Sequence, residues 1–308
     1  MTATKYGKYI ITEPKEWPPE LLARMAEGRA ARKSTTKSTR LMSVDSEILP
    51  GFFYVDCAWI WSGGENEDGG EAHAHDFDEV IGFVGSNQDD PHDLGGEVVI
   101  YLDGKREVLT KTSLIFVPAG VPHCPYYFKR VDKPIFFVTI APSGKYVQEK
   151  EGTAAPAGGK PRCTIVTEAK QMFTVAASGK ATPPPPPPNP NLKAARILHL
   201  EDDVAKGAFY VDFVWIYQGS GAAPAPEHTH DWPELIAMAG CDPERPHHLG
   251  GKMSIVLGDE DHIIERSSLV CIPPGLKHCP WRFLDIKKPT LVFTAGPSAM
   301  YSGSHKKD

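Results

Sequence analysis

The chain is written twice, and internal repetition governs how the whole fold must be read. Phe53-Tyr54-Val55-Asp56 and Trp59-Ile60 return as Phe209-Tyr210-Val211-Asp212 and Trp215-Ile216. His73, His75 and Glu79 return as His228, His230 and Glu234, a shift of 155 positions (228 − 73). Pro91-His92, Leu94-Gly95-Gly96, His123-Cys124-Pro125 and Lys133-Pro134 all recur at that shift, as Pro246-His247, Leu249-Gly250-Gly251, His278-Cys279-Pro280 and Lys288-Pro289. The repeat also reaches the N-terminus, where Ile10, Thr12, Glu13 and Lys15 match Ile165, Thr167, Glu168 and Lys170. A chain of 308 residues therefore divides into two domains of ordinary size, expected at 1–150 and 151–308. In this register the run Pro183 to Pro188 falls inside the second repeat, opposite Gly28 to Lys33. There it replaces the end of a short helix or forms a stiff polyproline spacer. The linker is expected near Gln148 to Lys160, rich in Gly, Ala and charge.

Most of each repeat reads as short strands. Phe52 to Trp61 and Phe209 to Tyr217 are rich in aromatic and β-branched residues. Glu97 to Leu102 and Val108-Leu109 flank Asp103-Gly104, a tight hairpin signal. Leu114 to Val117, Ile135 to Ile140 and Thr290 to Thr294 are apolar runs of strand length. A helix start is read at Pro18-Pro19 followed by Glu20 to Ala26. Many short strands punctuated by Gly and Pro predict a barrel or sandwich rather than a βαβ fold. Each repeat also opens with its own strand, Tyr9 to Thr12 or Thr164 to Thr167, of the kind that crosses over to cover a neighbour's edge.

The chemistry lies in His73-Ala74-His75 and His228-Thr229-His230. On a strand, residues two apart project from one face, so both imidazoles of each pair can share an ion. Glu79 cannot join them if the strand runs straight on, because six residues extend roughly 20 Å. A turn is required at Asp76-Phe77-Asp78 and at Asp231-Trp232-Pro233. His123 follows Pro118-Ala119-Gly120, and His278 follows Pro273-Pro274-Gly275 in the same way. A lone His is usually a surface or satisfied core residue, but two complete HxHxxxE and PxGxxH sets at one offset are what borderline divalent ions select.

At these residues the sequence resembles the cupin superfamily, and specifically its two-domain members, the bicupins. The resemblance covers nearly the whole chain apart from the linker and the ends. It implies an all-β fold of two tandem double-stranded β-helix barrels with short helical or irregular N-terminal extensions. It also implies one divalent transition metal per barrel, iron or manganese before copper, nickel or zinc. His73, His75, Glu79 and His123 would hold one ion, and His228, His230, Glu234 and His278 the other. Two departures stand out. Tyr127 and Arg282 replace the Asn that often ends the second motif, and each repeat carries a longer insert with His92 or His247 and a Gly-Gly. His92, His247 and His248 are candidate acid-base groups, against a bland reading as hydrogen-bonding loop residues. Cys124 and Cys279 would point away from the ion on a regular strand and pack in the core.

Four protein ligands leave one or two exchangeable positions on an octahedral ion. A dioxygenase acting on a small aromatic or dicarbonyl compound is the first expectation. A redox-neutral decarboxylase, other lyase or isomerase is the alternative, and a non-catalytic metal- or ligand-binding bicupin is the third. The partner is expected to be a small-molecule substrate. A formal net charge of −6 offers no basic field for nucleic acid or an anionic membrane. No apolar run approaches the roughly 20 residues that span a bilayer, and the N-terminal residues lack a signal-peptide core. Cytoplasmic residence is expected, with the six cysteines as reduced thiols rather than a disulfide framework.

Overall fold

The computed structural model describes residues 4–67, 70–146, 162–169, 190–223, 225–299 and 301. The polyproline run Pro183 to Pro188 and the linker at Gln148 to Lys160 lie outside the described residues. The first repeat contains β1 (Ile10–Ile11), α1 (Pro19–Ala31), β2 (Lys37–Val44), β3 (Tyr54–Ser62), β4 (Glu79–Gly85) and β5 (Asp93–Leu102). It continues through β6 (Lys105–Lys111), β7 (Ser113–Val117), β8 (His123–Val131) and β9 (Ile135–Ala141). The second contains β10 (Thr164–Val166), β11 (Leu192–Leu200), β12 (Tyr210–Ala222), β13 (Glu234–Gly240) and β14 (His248–Leu257). It ends with β15 (Glu260–Arg266), β16 (Ser268–Ile272), β17 (His278–Ile286) and β18 (Thr290–Gly296).

Local chemistry sets many of these boundaries. α1 starts at Pro19, whose fixed φ suits the first helical turn, and Glu20 complements the helix dipole there. The β5–β6 turn places Asp103 at φ 52° and Gly104 at φ 75°, the left-handed pair that a two-residue hairpin requires. Strands β2 and β11 were not foreseen. Lys37-Ser38-Thr39-Arg40 opens β2 with polar residues, and only Leu41 to Val44 are buried. It becomes a strand by pairing along β3, a long-range contact that local composition does not announce.

In the first repeat one sheet runs β10-β7-β4-β9-β3-β2 and a second runs β6-β5-β8. In the second repeat the long β12 pairs with both β18 and β17, which merges the corresponding strands into one curled sheet. The opening strands do cross: β1 pairs antiparallel with β16 (Ile10 opposite Val270), and β10 with β7 (Thr164 opposite Phe116). Each covers a strand edge that would otherwise be open.

Three apolar clusters result. One lies within each repeat, around Phe83, Val98, Ile115 and Ile135 in the first and Met238, Ile255, Val270 and Val292 in the second. The third is shared, joining Trp59, Val84 and Phe136 to Trp215, Ala239 and Phe293. Two reciprocal hydrogen bonds cross it: the Trp59 indole donates to Gly240 O at 2.8 Å, and the Trp215 indole donates to Gly85 O at 3.2 Å. Among the described residues no helix is long and apolar enough to cross a membrane.

Candidate metal centre

Each first motif is held against its second motif by a short backbone bridge. His73 and His123 exchange N–H···O bonds at 3.0 and 2.9 Å, and His228 and His278 do the same at 3.1 Å each. The bend expected between the second His and the Glu is present at Asp76-Phe77 and Asp231-Trp232, after which β4 and β13 begin at the glutamates. The PxG glycines explain themselves here. Gly120 (φ 74°) donates to His75 O at 2.7 Å, and Gly275 (φ 77°) donates to His230 O at 2.8 Å. A side chain at that φ would be strained.

In the second repeat, donor atoms of His228, His230, Glu234 and His278 all lie within 4.8 Å of one another. The same criterion in the first repeat joins His75, Glu79 and His123, with His73 grouped instead with His123 and Cys124. His123 Nε2 and Glu79 Oε2 approach to 2.8 Å, as do His278 Nε2 and Glu234 Oε2. These four atoms are buried, yet none makes an aligned hydrogen bond among the described residues. Buried polar atoms are normally paired, so donors that converge without pairing fit a cation between them. The outer contacts agree. His123 Nδ1 faces Val121 O at 3.0 Å, His278 Nδ1 faces Leu276 O at 2.9 Å and His228 Nδ1 faces Pro226 O at 2.7 Å, which leaves each Nε2 as the ligating atom.

Aromatic rings hold the second His of each pair. Phe77 stacks on His75 at 4.7 Å, and Trp232 stacks on His230 at 4.1 Å. Sequence reasoning missed a further pair, Tyr146 and Tyr301, although they too are 155 positions apart. The Tyr146 hydroxyl lies 3.2 Å from His75 Nε2 and 3.4 Å from His73 Nε2, and the Tyr301 hydroxyl lies 3.1 Å from His228 Nε2. The signal was the spacing alone, since no motif includes these positions.

Two expectations change. Cys124 Sγ is within ligand range of His73 and His123 rather than pointing away. Cys124 and Cys279 both have positive φ, 67° and 69°, so the side-chain alternation of a regular strand does not hold at either, though Cys279 joins no donor group among the described residues. His92 and His247 are not brought to the donor sets. β4 carries the chain from Glu79 to Gly85, roughly 20 Å along a strand, and Thr112 there links Gly85 to His92 O. His92 Nδ1 faces Thr167 O at 3.0 Å and His247 Nδ1 lies 3.8 Å from Glu13, so both meet the crossed N-terminal segment of the other repeat. A cavity of about 440 Å³ beside Ser86, Asp89, Lys133 and Cys241 likewise lies beyond the far end of β4.

Burial pushes the His73 imidazole down to about 4 from its ordinary 6.5, with His123 and His75 adding to the effect. His228 is lowered for the same first reason. Burial would also lower His123, but contact with Glu79 outweighs it and raises that imidazole. Burial would raise Glu234, and its contacts with His230 and His278 bring it below the usual value. Burial thus favours the neutral, ligating form of His73 and His228, whereas contact with Glu79 favours the protonated form of His123. Metal uptake must expel that proton, so affinity rises with pH through the raised His123 value and falls below it. Calorimetry of metal binding at about pH 6, below the ordinary imidazole value that His123 exceeds, should show heats that depend on buffer ionisation enthalpy. Buffer-independent heats would contradict proton release.

No protein-family model and no curated protein matches the sequence. Solved structures do. An oxalate decarboxylase, from a study of its substrate binding mode and reaction specificity, is 10% identical over 89% of this chain and 77% of its own, with a TM-score of 0.50. The fold is cupin-like. Oxalate decarboxylase from Bacillus subtilis at pH 4.6 superposes equally, at 11% identity, 89% and 76% coverage and a TM-score of 0.50. AerE from Microcystis aeruginosa overlaps less well, at a TM-score of 0.45 and 11% identity over 94% of this chain and 99% of that one. Likeness at this identity establishes the all-β cupin architecture, and the chemistry must come from the residues.

Proposed function

We propose that the chain is a metal-dependent bicupin enzyme with domains at 1–150 and 151–308, each holding one divalent transition ion. His73, His75, Glu79 and His123 are the ligands in the first, and His228, His230, Glu234 and His278 in the second. The convergence of buried Nε2 and Oε2 atoms without aligned hydrogen bonds carries this reading. Three imidazoles and one carboxylate suit iron or manganese, with copper, nickel or zinc as competitors. When bound, the ion supplies Lewis acidity and, if redox-active, the one-electron chemistry that oxygen activation needs. The chain's own contribution is to fix the Nε2 atoms of the imidazoles inward and to keep water away by burial.

The reaction proposed is dioxygenation of a small aromatic or dicarbonyl compound, because four ligands leave adjacent positions for two reactants on a six-coordinate ion. A second reading, a redox-neutral decarboxylase, other lyase or isomerase, is favoured by the hydroxyls of Tyr146 and Tyr301, which place a proton donor beside each donor set. The solved structures of the same fold named as oxalate decarboxylase accord with it. Oxygen separates the two. Under the first reading, an enediol, catechol or diketone bound anaerobically changes the metal spectrum and turns over only when air is admitted. Turnover at an unchanged rate without oxygen would leave the second reading.

A further inference from the structure

We infer that the phenolic oxygens of Tyr146 and Tyr301 are fifth donors, one to the ion of each repeat, delivered by the segment that follows the last strand. The inference rests on the metal-binding reading above and adds to it a ligand that neither cupin motif contains. Distance is the main support. Two donors that are each about 2.1 Å from one ion, at angles between octahedral and tetrahedral, are themselves about 3.0 to 3.4 Å apart. The Tyr146 oxygen is 3.2 and 3.4 Å from two different imidazole Nε2 atoms, and the Tyr301 oxygen is 3.1 Å from one. A hydroxyl merely hydrogen-bonded to an imidazole needs one nitrogen; the Tyr146 hydroxyl lies between two.

The position is also built from behind, and in both repeats alike. Tyr146 follows the end of β9 by five residues, as Tyr301 follows the end of β18. Tyr54 packs its ring on Tyr146 at 4.9 Å, and Tyr210 packs on Tyr301 at 5.0 Å. The same two residues pin the segment through their backbone, Tyr54 N donating to Ser143 O and Tyr210 N to Ser298 O, each at 2.8 Å. Ser46 N donates to Gly144 O at 2.8 Å, and Asp202 N donates to Ala299 O at 3.0 Å. The hydroxyl is therefore held on one side of the donor set by two anchors rather than swinging on a free tail. On ligation to iron(III) the O–H bond breaks, the proton goes to solvent and the oxygen pair forms the Fe–O bond, with no electron transferred. Five donors leave one position open, so two reactants bind together, or the tyrosine serves as a proton donor, only when the phenolic oxygen has left the ion.

The test uses the full chain, freed of metal, loaded with iron(II) under nitrogen and oxidised with stoichiometric ferricyanide. Iron content is measured alongside the visible spectrum for the wild type, Tyr146→Phe, Tyr301→Phe and the double variant. Phenylalanine keeps the ring packed against Tyr54 or Tyr210, and circular dichroism checks the fold. The wild type should show a phenolate-to-iron(III) charge-transfer band, with phenolate modes enhanced in resonance Raman excited in that band. Each single variant should halve the band, and the double variant should lose it while retaining its iron. Iron held by the wild type without a band, or a band undiminished in the double variant, overturns the tyrosine inference alone. A wild type that holds no iron or other transition metal overturns the metal reading, and this inference falls with it.

Discussion

Replacing His75 and His230 together with alanine is expected to leave the chain unable to retain a transition metal, and each single change is expected to halve the metal content. Each of these imidazoles has its ring stacked on an aromatic neighbour and lies buried beside the glutamate oxygen, at 3.7 Å for His75 and 3.3 Å for His230. Deleting one takes away an imidazole donor and opens the set to water. Loss of outer-shell contacts alone typically costs 10- to 100-fold in affinity, roughly, and loss of a ligand costs more. The consequence also appears in stability. An ion at about 1,000 times its dissociation constant stabilises the native state by about 4 kcal/mol, so the wild type's melting temperature should rise on metal addition and the double variant's should not. Elemental analysis showing stoichiometric metal in the folded double variant would refute the assignment.

Trp59→Ala is expected to destabilise the protein by about 3 to 5 kcal/mol, the usual cost of removing a large aromatic from a packed core. Trp59 is fully buried in the cluster shared by the two repeats, where it packs on Phe136 at 5.2 Å. Its indole N–H is also the partner of Gly240 O at the end of β13, so the variant both opens a cavity and strands a buried carbonyl. Trp215→Ala removes the reciprocal contact to Gly85 O and should fall in the same range. Leu22, half exposed on α1, provides the contrast, since its replacement by alanine should stay within about 0.5 kcal/mol. Denaturant unfolding measures all three. A Trp59→Ala loss below about 1 kcal/mol would show that the shared cluster does not hold the repeats together.

Much of this architecture is local and was legible in the chain. The eight candidate ligands, the turn between His75 and Glu79, the Asp103-Gly104 hairpin and the start of α1 each follow from residue type, spacing and the repeat. So do most strands, because aromatic and β-branched runs between Gly and Pro leave few other conformations. The repeat offset supplied what motif length could not, by showing each set twice.

Only the tertiary structure decided the rest, and in each case the deciding contact joins residues distant in sequence. β2 is a strand because β3 pairs with it, not because its opening Lys-Ser-Thr-Arg favours one. Cys124 meets His73 across the bridge that joins His73 to His123, at a φ of 67° that departs from regular alternation. His92 and His247 look reactive in the chain, but folding carries them to the far ends of β4 and β13, against the other repeat's N-terminal segment. Tyr146 and Tyr301 look ordinary, yet the return of the chain after β9 and β18 sets their hydroxyls on the donor imidazoles. Residue type determines which groups can ligate an ion or cross a core; the pairing of strands far apart in the chain determines which of them meet, because hydrogen bonding and burial reward contacts that local sequence does not encode.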